Sequence, residues 1–271
     1  MAVFFDTHAH LDYPDFAPVI DQIIARAQTA GISKIISIGT DLTSSTRAIK
    51  LAEEHAAIYA VVGWHPSHVL EAPDDIRPAL RALAQHPKVV ALGETGLDCY
   101  RLPSSKGGTV AEDETYQRRQ AEIFQQHLEV AAETGLNCVI HQRGDCFADT
   151  LAQLRPFADR LRGVFHCFAN DAAAMERVLA LGSLVSFTGL VTFKNGQSVR
   201  DTVVATPLGK FMLETDCPYL APVPYRGKRC EPAYVKEISE TIAQVKGCSL
   251  EELSAATCRA AESFFPRLTN Q

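Results

Sequence analysis

The sequence predicts an α/β protein of the TIM (β/α)8 barrel class, and three observations carry that prediction. Short β-branched apolar runs alternate with amphipathic stretches, eight such runs occur, and residues suited to metal ligation stand at the ends of several of them. Alternation demands crossover connections and hence a parallel sheet. Eight strands, each followed by a helix, favour a sheet closed on itself over an open doubly wound one. At 271 residues, 46% hydrophobic and 21% charged, the chain has material for one large core. Residues 1–271 are expected to form a single domain, because no linker, low-complexity tract or internal repeat divides them.

The first strand is expected over 2–6, where Ala2-Val3-Phe4-Phe5 meets Asp6 and His8 at once. That run is too short for the apolar region of a signal peptide, so a cytoplasmic protein is expected. A helix over 16–30 follows and stops at Gly31, a residue tolerant of positive φ, before the second strand at 34–38. Helices over 44–54 and 75–85 flank the third strand, 58–62, and lead to the fourth, 89–93. A long helix over 114–134 ends at Gly135 before the fifth strand, 137–140. Then come a helix at 145–160, a strand at 163–165, a helix at 171–181 ending at Gly182, a strand at 184–187, a helix at 198–205 and a strand at 211–213. Helices over 232–245 and 250–264 complete the chain. The segment 102–113, with Ser104-Ser105-Lys106-Gly107-Gly108, lies on the rim that carries barrel active sites. Its composition predicts mobility, as a surface insertion or a lid.

No apolar stretch approaches the roughly 20 residues needed to span a bilayer. The eight cysteines contain no Cys-x-x-Cys pair, and a chain this large needs no stapling, so reduced thiols are expected. The net charge of −6 excludes broad electrostatic capture of nucleic acid. It leaves room for a small site in which bound cations supply positive charge locally. Nothing calls for an obligate protein partner.

The chemistry concentrates in six residues. Alternate strand residues face one side, so His8 and His10 project together at the end of the first strand. Glu94 follows Val-Val-Ala-Leu-Gly, His141 follows Asn-Cys-Val-Ile, His166 follows Gly-Val-Phe, and Asp216 follows Phe-Met-Leu-Glu-Thr. A parallel barrel delivers all these strand ends to one rim, where four imidazoles and two carboxylates form a metal-ligand set. Glu94, with two oxygens, is expected to bridge two cations, one completed by His8, His10 and Asp216, the other by His141 and His166. Two metals about 4 Å apart hold a hydroxide at neutral pH and clamp a developing oxyanion, which makes the reaction a hydrolysis. Asp216 would orient or deprotonate the attacking water, with Glu94 as the second catalytic carboxylate. The imidazoles favour zinc or manganese, and magnesium prefers oxygen and water.

These residues carry a resemblance to a known family. The motifs Phe5-Asp6-Thr7-His8-Ala9-His10-Leu11-Asp12, Gly93-Glu94-Thr95-Gly96-Leu97-Asp98, His166-Cys167-Phe168 and Leu213-Glu214-Thr215-Asp216-Cys217-Pro218-Tyr219-Leu220-Ala221-Pro222 resemble the TatD family of metal-dependent deoxyribonucleases, within the amidohydrolase superfamily. The run Pro224-Tyr225-Arg226-Gly227-Lys228-Arg229 is similar to the stretch that follows that family's last strand. The resemblance implies a TIM barrel with a divalent metal centre at the same six residues, and an enzyme that trims DNA, or RNA, from the 3′ end with magnesium or another divalent ion. Gly63-Trp64-His65-Pro66 looks like the family's third-strand motif, whose histidine would contact a phosphate oxygen or a water near the metals. Departures are Cys99, where an aromatic residue is expected, Cys230, where asparagine is common, and the 102–113 segment. Arg143 and Arg226, with Lys228 and Arg229, are expected on rim loops against backbone phosphates of a transiently bound nucleic acid. The alternative keeps the metals and changes the bond: an amidohydrolase acting on a small amide, lactone or ester, since fold alone does not fix the substrate.

Overall fold

The computed structural model describes residues 2–268. Among these, strands and helices alternate along the chain as β1 (Phe4–Ala9), α1 (Ile20–Thr29), β2 (Ile32–Ile38), α2 (Leu42–Glu54), β3 (Ile58–Val62), α3 (Arg77–Ala84), β4 (Val89–Asp98), α4 (Val110–Thr134), β5 (Asn137–Arg143), α5 (Phe147–Leu154), β6 (Gly163–Phe165), α6 (Ala172–Leu179), β7 (Leu184–Phe187), α7 (Gln197–Ala205), β8 (Phe211–Leu213), α8 (Val235–Lys246) and α9 (Leu250–Phe264). The strands pair in sequence order, all parallel. The segment after β8 closes the ring on β1: Asp216 N–H donates to His8 O at 2.9 Å and His10 N–H to Cys217 O at 2.8 Å. This is the TIM barrel that the alternation predicts.

Strand periodicity divides the core in two. One cluster takes a residue or more from each strand, including Phe5, Ile36, Val61, Val90, Val139, Val164, Leu184 and Met212, and is closed at one end by Phe264, Phe265 and Leu268 from α9 and beyond. It fills the barrel, and α9 plugs the end opposite the strand C-termini. The larger cluster holds the alternate strand residues, such as Ile35, Ala60 and Leu92, against the helices.

Where β4 meets β5, two glycines allow an approach that a side chain would block. Gly96 has φ of +130°, and a Cβ there would strike His141 O; Gly93 has φ of +138°, and a Cβ would lie 2.6 Å from Val139 O. The residue types at 93 and 96 therefore set how near Glu94 comes to His141.

Element bounds differ from the sequence reading in an instructive way. The strands β1, β4 and β5 run three to five residues past the apolar runs that mark them, because buried polar residues continue the ladder. The helix expected over 145–160 stops at Leu154 and gives way to a 3-10 turn, Arg155–Phe157, around Pro156, whose missing N–H cannot continue an α-helix. The 102–113 segment is not an irregular loop. Pro103–Lys106 forms a 3-10 turn, Ser104 N–H donates to Asp113 Oδ1 at 2.8 Å, and a Thr109–Glu112 capping box starts α4 four residues earlier than predicted. Among the described residues, no helix is long and apolar enough to cross a membrane.

Candidate metal centre

All six expected ligands converge at the C-terminal rim, and Glu94 lies between them. Its Oε2 is 3.3 Å from His8 Nε2 and 3.7 Å from His10 Nε2. Its Oε1 is 2.8 Å from His141 Nδ1, 2.8 Å from His166 Nε2 and 3.3 Å from His65 Nε2. Asp216 Oδ1 completes the first side, 3.4 Å from His10 Nε2 and 3.7 Å from His8 Nε2. Asp216 holds φ of +58° between β8 and the closing segment, a left-handed conformation that aspartate tolerates better than most residues. The grouping differs in part from the one expected. His8, His10 and Asp216 come together, but His166 falls with His8 and Glu94, while His65 joins Glu94 and His141.

The donor set fits divalent cations on a test internal to the structure. Imidazole nitrogens approach one another at 3.4 Å (His8 with His10) and 3.3 Å (His166 with His141). Such spacings match the edge, about 3.3 Å, of a tetrahedron of metal–nitrogen bonds of about 2.0–2.1 Å. The far nitrogens are held by acceptors: His141 Nε2 by Asp98 Oδ2 at 3.2 Å and His10 Nδ1 by Ile38 O at 3.4 Å, with His166 Nδ1 facing Glu214 Oε1 at 3.6 Å. For His141 and His10 this puts the ring proton outward and leaves the inward nitrogen a lone pair, the usual support for a metal-binding histidine. His65 is reversed. Ser67 N–H donates to its Nδ1 at 3.0 Å, so its Nε2 carries the proton and points a donor into the site.

Electrostatics agree with that division. Burial alone would raise Glu94, but the charge of His166 and the surrounding imidazoles, with the hydrogen bond from His141, hold it well below the usual carboxylate range. Burial likewise opposes ionisation of Asp216, and the hydrogen bond from His10 overcomes it, leaving Asp216 at about 2. His166 is driven up to about 10: burial acts against its charge, and Glu94 with Glu214 outweighs burial. Burial lowers His65 to about 4, consistent with a neutral donor. Four nearly buried carboxylates, Glu94, Asp98, Glu214 and Asp216, therefore gather around the imidazoles and call for positive charge.

The cluster lies in a cleft of about 570 Å³ whose rim includes Tyr13, Tyr219, Tyr100, Arg101 and Arg143. Arg143 hydrogen-bonds Gln142 O at 2.7 Å and approaches His166 Nε2 at 3.4 Å. Arg226 was expected here and is elsewhere: its guanidinium stacks 3.7 Å over Phe193 and donates to Ala221 O, and it does not line the cleft. Lys228 over Tyr225 and Arg229 over Phe16 are likewise outside it. A depression of similar size, about 600 Å³, lies at the opposite end beside α9, and among the described residues no cluster of metal-ligating side chains lies in it. Helix α4 braces the site from behind. Gln120 Oε1 accepts from Asp98 N at 2.9 Å, and His127 Nε2 accepts from Trp64 N at 2.9 Å, fixing the residues beside His141 and His65. Asp98, Glu214 and Tyr219 stand within the family-like motifs, whereas no motif marks Tyr13, Tyr100, Arg101 or His127.

Comparison with known proteins places this geometry among relatives. The family described as TatD related DNase matches residues 5–266. The metal-dependent hydrolase YabD of Bacillus subtilis is 35% identical over 262 residues, covering 96% of this chain and 98% of that protein. The 3′-5′ ssDNA/RNA exonuclease TatD of Enterobacter lignolyticus is 34% identical, covering 96% and 98%. The crystal structure of the TatD homologue YJJV of Escherichia coli K12 superposes with a TM-score of 0.88 at 26% identity, over 97% of this chain and 98% of that one.

Proposed function

The chain belongs to the family of TatD-related DNases and is a metal-dependent hydrolase, and from that premise we propose that it trims single-stranded DNA or RNA from the 3′ end. The observation that carries this reading is the cleft itself: a ligand cluster divided by Glu94, under a rim of two arginines and three tyrosines. Arginines answer phosphate charge, and exposed aromatic faces stack bases without sequence preference. Tyr219 is 50% exposed and Tyr100 76%, so both present ring surface to an entering strand.

His8, His10, Glu94, His141, His166 and Asp216 would hold two divalent cations, magnesium, manganese or zinc. When bound, such ions neutralise the scissile phosphate and acidify water for attack. The remaining work falls to side chains. Asp216, ionised at neutral pH, orients the attacking water and takes its proton. His65 donates its Nε2 proton toward a phosphate oxygen. Asp98 keeps His141 in the tautomer that faces the cluster. Arg101 and Arg143 hold the strand, and the net charge of −6 keeps that hold local and transient.

The test is a digestion of single-stranded oligonucleotide labelled at the 5′ end, by protein loaded with Mn2+ or Mg2+. The expected result is a descending ladder that keeps the 5′ label and vanishes with chelator. An intact oligonucleotide, with turnover of small amides or lactones in its place, moves the activity to the amidohydrolase reading.

A further inference from the structure

A pair of thiols lies beside the cleft, apart from the imidazole cluster. Cys99 follows the last residue of β4, and Cys146 directly precedes α5. The β4–β5 ladder continues past the strands, with Cys99 N–H donating to Arg143 O at 2.8 Å. Cys146 Sγ is 3.1 Å from that same carbonyl and 3.4 Å from Leu97 O. One carbonyl oxygen thus receives both the Cys99 amide and the Cys146 thiol, which brings the two residues side by side, and each thiol perturbs the other. Gly144 permits the approach, since a Cβ there would lie 2.7 Å from the Cys99 carbonyl carbon.

We propose that Cys99 and Cys146 are a redox-modification site, closing to a reversible disulfide when the protein meets a peroxide. The contact supplies proximity, and it also supplies reactivity. Hydrogen bonding from Cys99 lowers Cys146 to about 7, while Cys99 is raised. Carbonyls of Leu97 and Arg143 favour a protonated Cys146, so the result belongs to the pair: its first proton leaves more easily than that of an isolated thiol, its second less easily. Cys99 is partly exposed, whereas Cys146 is 2% exposed, which restricts the oxidant to something as small as hydrogen peroxide. The other close pair, Cys217 and Cys230, is fully buried, and burial raises both thiols.

The steps balance. A thiolate of the pair attacks one peroxide oxygen; the S–O bond forms, the O–O bond breaks, and hydroxide leaves to become water with the proton that the thiol gave up. The second sulfur then attacks the sulfenic sulfur; the S–S bond forms, the S–O bond breaks, and water departs with the second thiol's proton. Two thiols lose two electrons and one peroxide becomes two waters. A bond of about 2.05 Å between the sulfurs draws the loop after β4 toward the loop before α5. Cys99 adjoins Asp98, whose Oδ1 accepts from Tyr100 N at 2.9 Å and Arg101 N at 3.0 Å, so the bridge alters how two rim residues are presented.

Mass spectrometry reads the bridge without reference to substrate. Metal-loaded protein is treated with hydrogen peroxide, its free thiols are alkylated, and it is digested without reduction; trypsin cuts after Lys88, Arg101 and Arg143 and so separates the two cysteines. The expected product is a linked peptide pair carrying Cys99 and Cys146, abolished by dithiothreitol and absent from Cys99→Ser. Hydrolytic activity should fall several-fold on oxidation and return on reduction. Cys99→Ser should keep reduced activity and lose the response, and Cys146→Ala should do the same. Modification of other cysteines before any Cys99–Cys146 link appears, or an undiminished peroxide response in Cys99→Ser, overturns the proposal.

Discussion

At the scale of single residues, the side chains behind the imidazoles decide which nitrogen faces inward. Asp98 accepts from His141 Nε2, and that bond overcomes burial to bring Asp98 down to about 2. Removing it frees His141 to turn or change tautomer, so Asp98→Ala should weaken metal binding about 10–100-fold, read by competition with a chelator. His65 should behave differently, since its protonated nitrogen points inward. His65→Ala is expected to keep its metal and lose activity, and loss of metal from this variant would make His65 a ligand. Protonation of His166, raised to about 10 when metal is absent, gives a sign for pH. Below that value a cation must displace the proton, so affinity should rise with pH by about tenfold per unit for each proton displaced. Calorimetry in buffers of different ionisation enthalpy measures that release directly.

At the scale of elements, the β4–β5 junction and the two ends of the barrel serve different purposes. Gly96→Ala combines a positive φ with a clash against His141 O. It should cost about 1–3 kcal/mol from backbone strain alone in urea unfolding, and activity should fall further because Glu94 and His141 shift together. Ser249 caps α9 at the opposite end through a box with Glu252. Its replacement by alanine should cost about 1 kcal/mol and leave activity unchanged. Much of this layout was legible in the sequence. The strands 58–62, 163–165, 184–187 and 211–213 coincide with their apolar runs because both strand faces are buried by apolar neighbours. The ends of β1, β4 and β5 were hidden because the buried His8, Glu94, Asp98 and His141 and the half-buried Arg143 read as loop. Motif spacing marked the six residues that converge at the rim. It could not locate His127, Gln120 or Arg226, whose positions follow from helix packing and from a stacking partner distant in sequence.

At the scale of the molecule, a net negative chain brings two arginines to the cleft, and cations there must supply the rest of the positive charge. Two phosphate contacts imply a slope of about −1.4 for log affinity against log salt on single strands, measured by filter binding of an inactive variant. A much steeper slope would place further basic residues on the strand's path. The barrel's stability rests at its other end, where Phe264 and Phe265 plug the interior; Phe264→Ala should cost about 3–5 kcal/mol. In the proposed mechanism Glu94 joins two cation sites. Glu94→Gln, nearly isosteric, keeps the shape and removes the charge that His8, His141 and His166 all face. Metal content and oligonucleotide digestion measured on the same folded sample should fall together, by at least about a hundredfold in rate. A Glu94→Gln protein that keeps its full metal content and wild-type digestion would contradict the account.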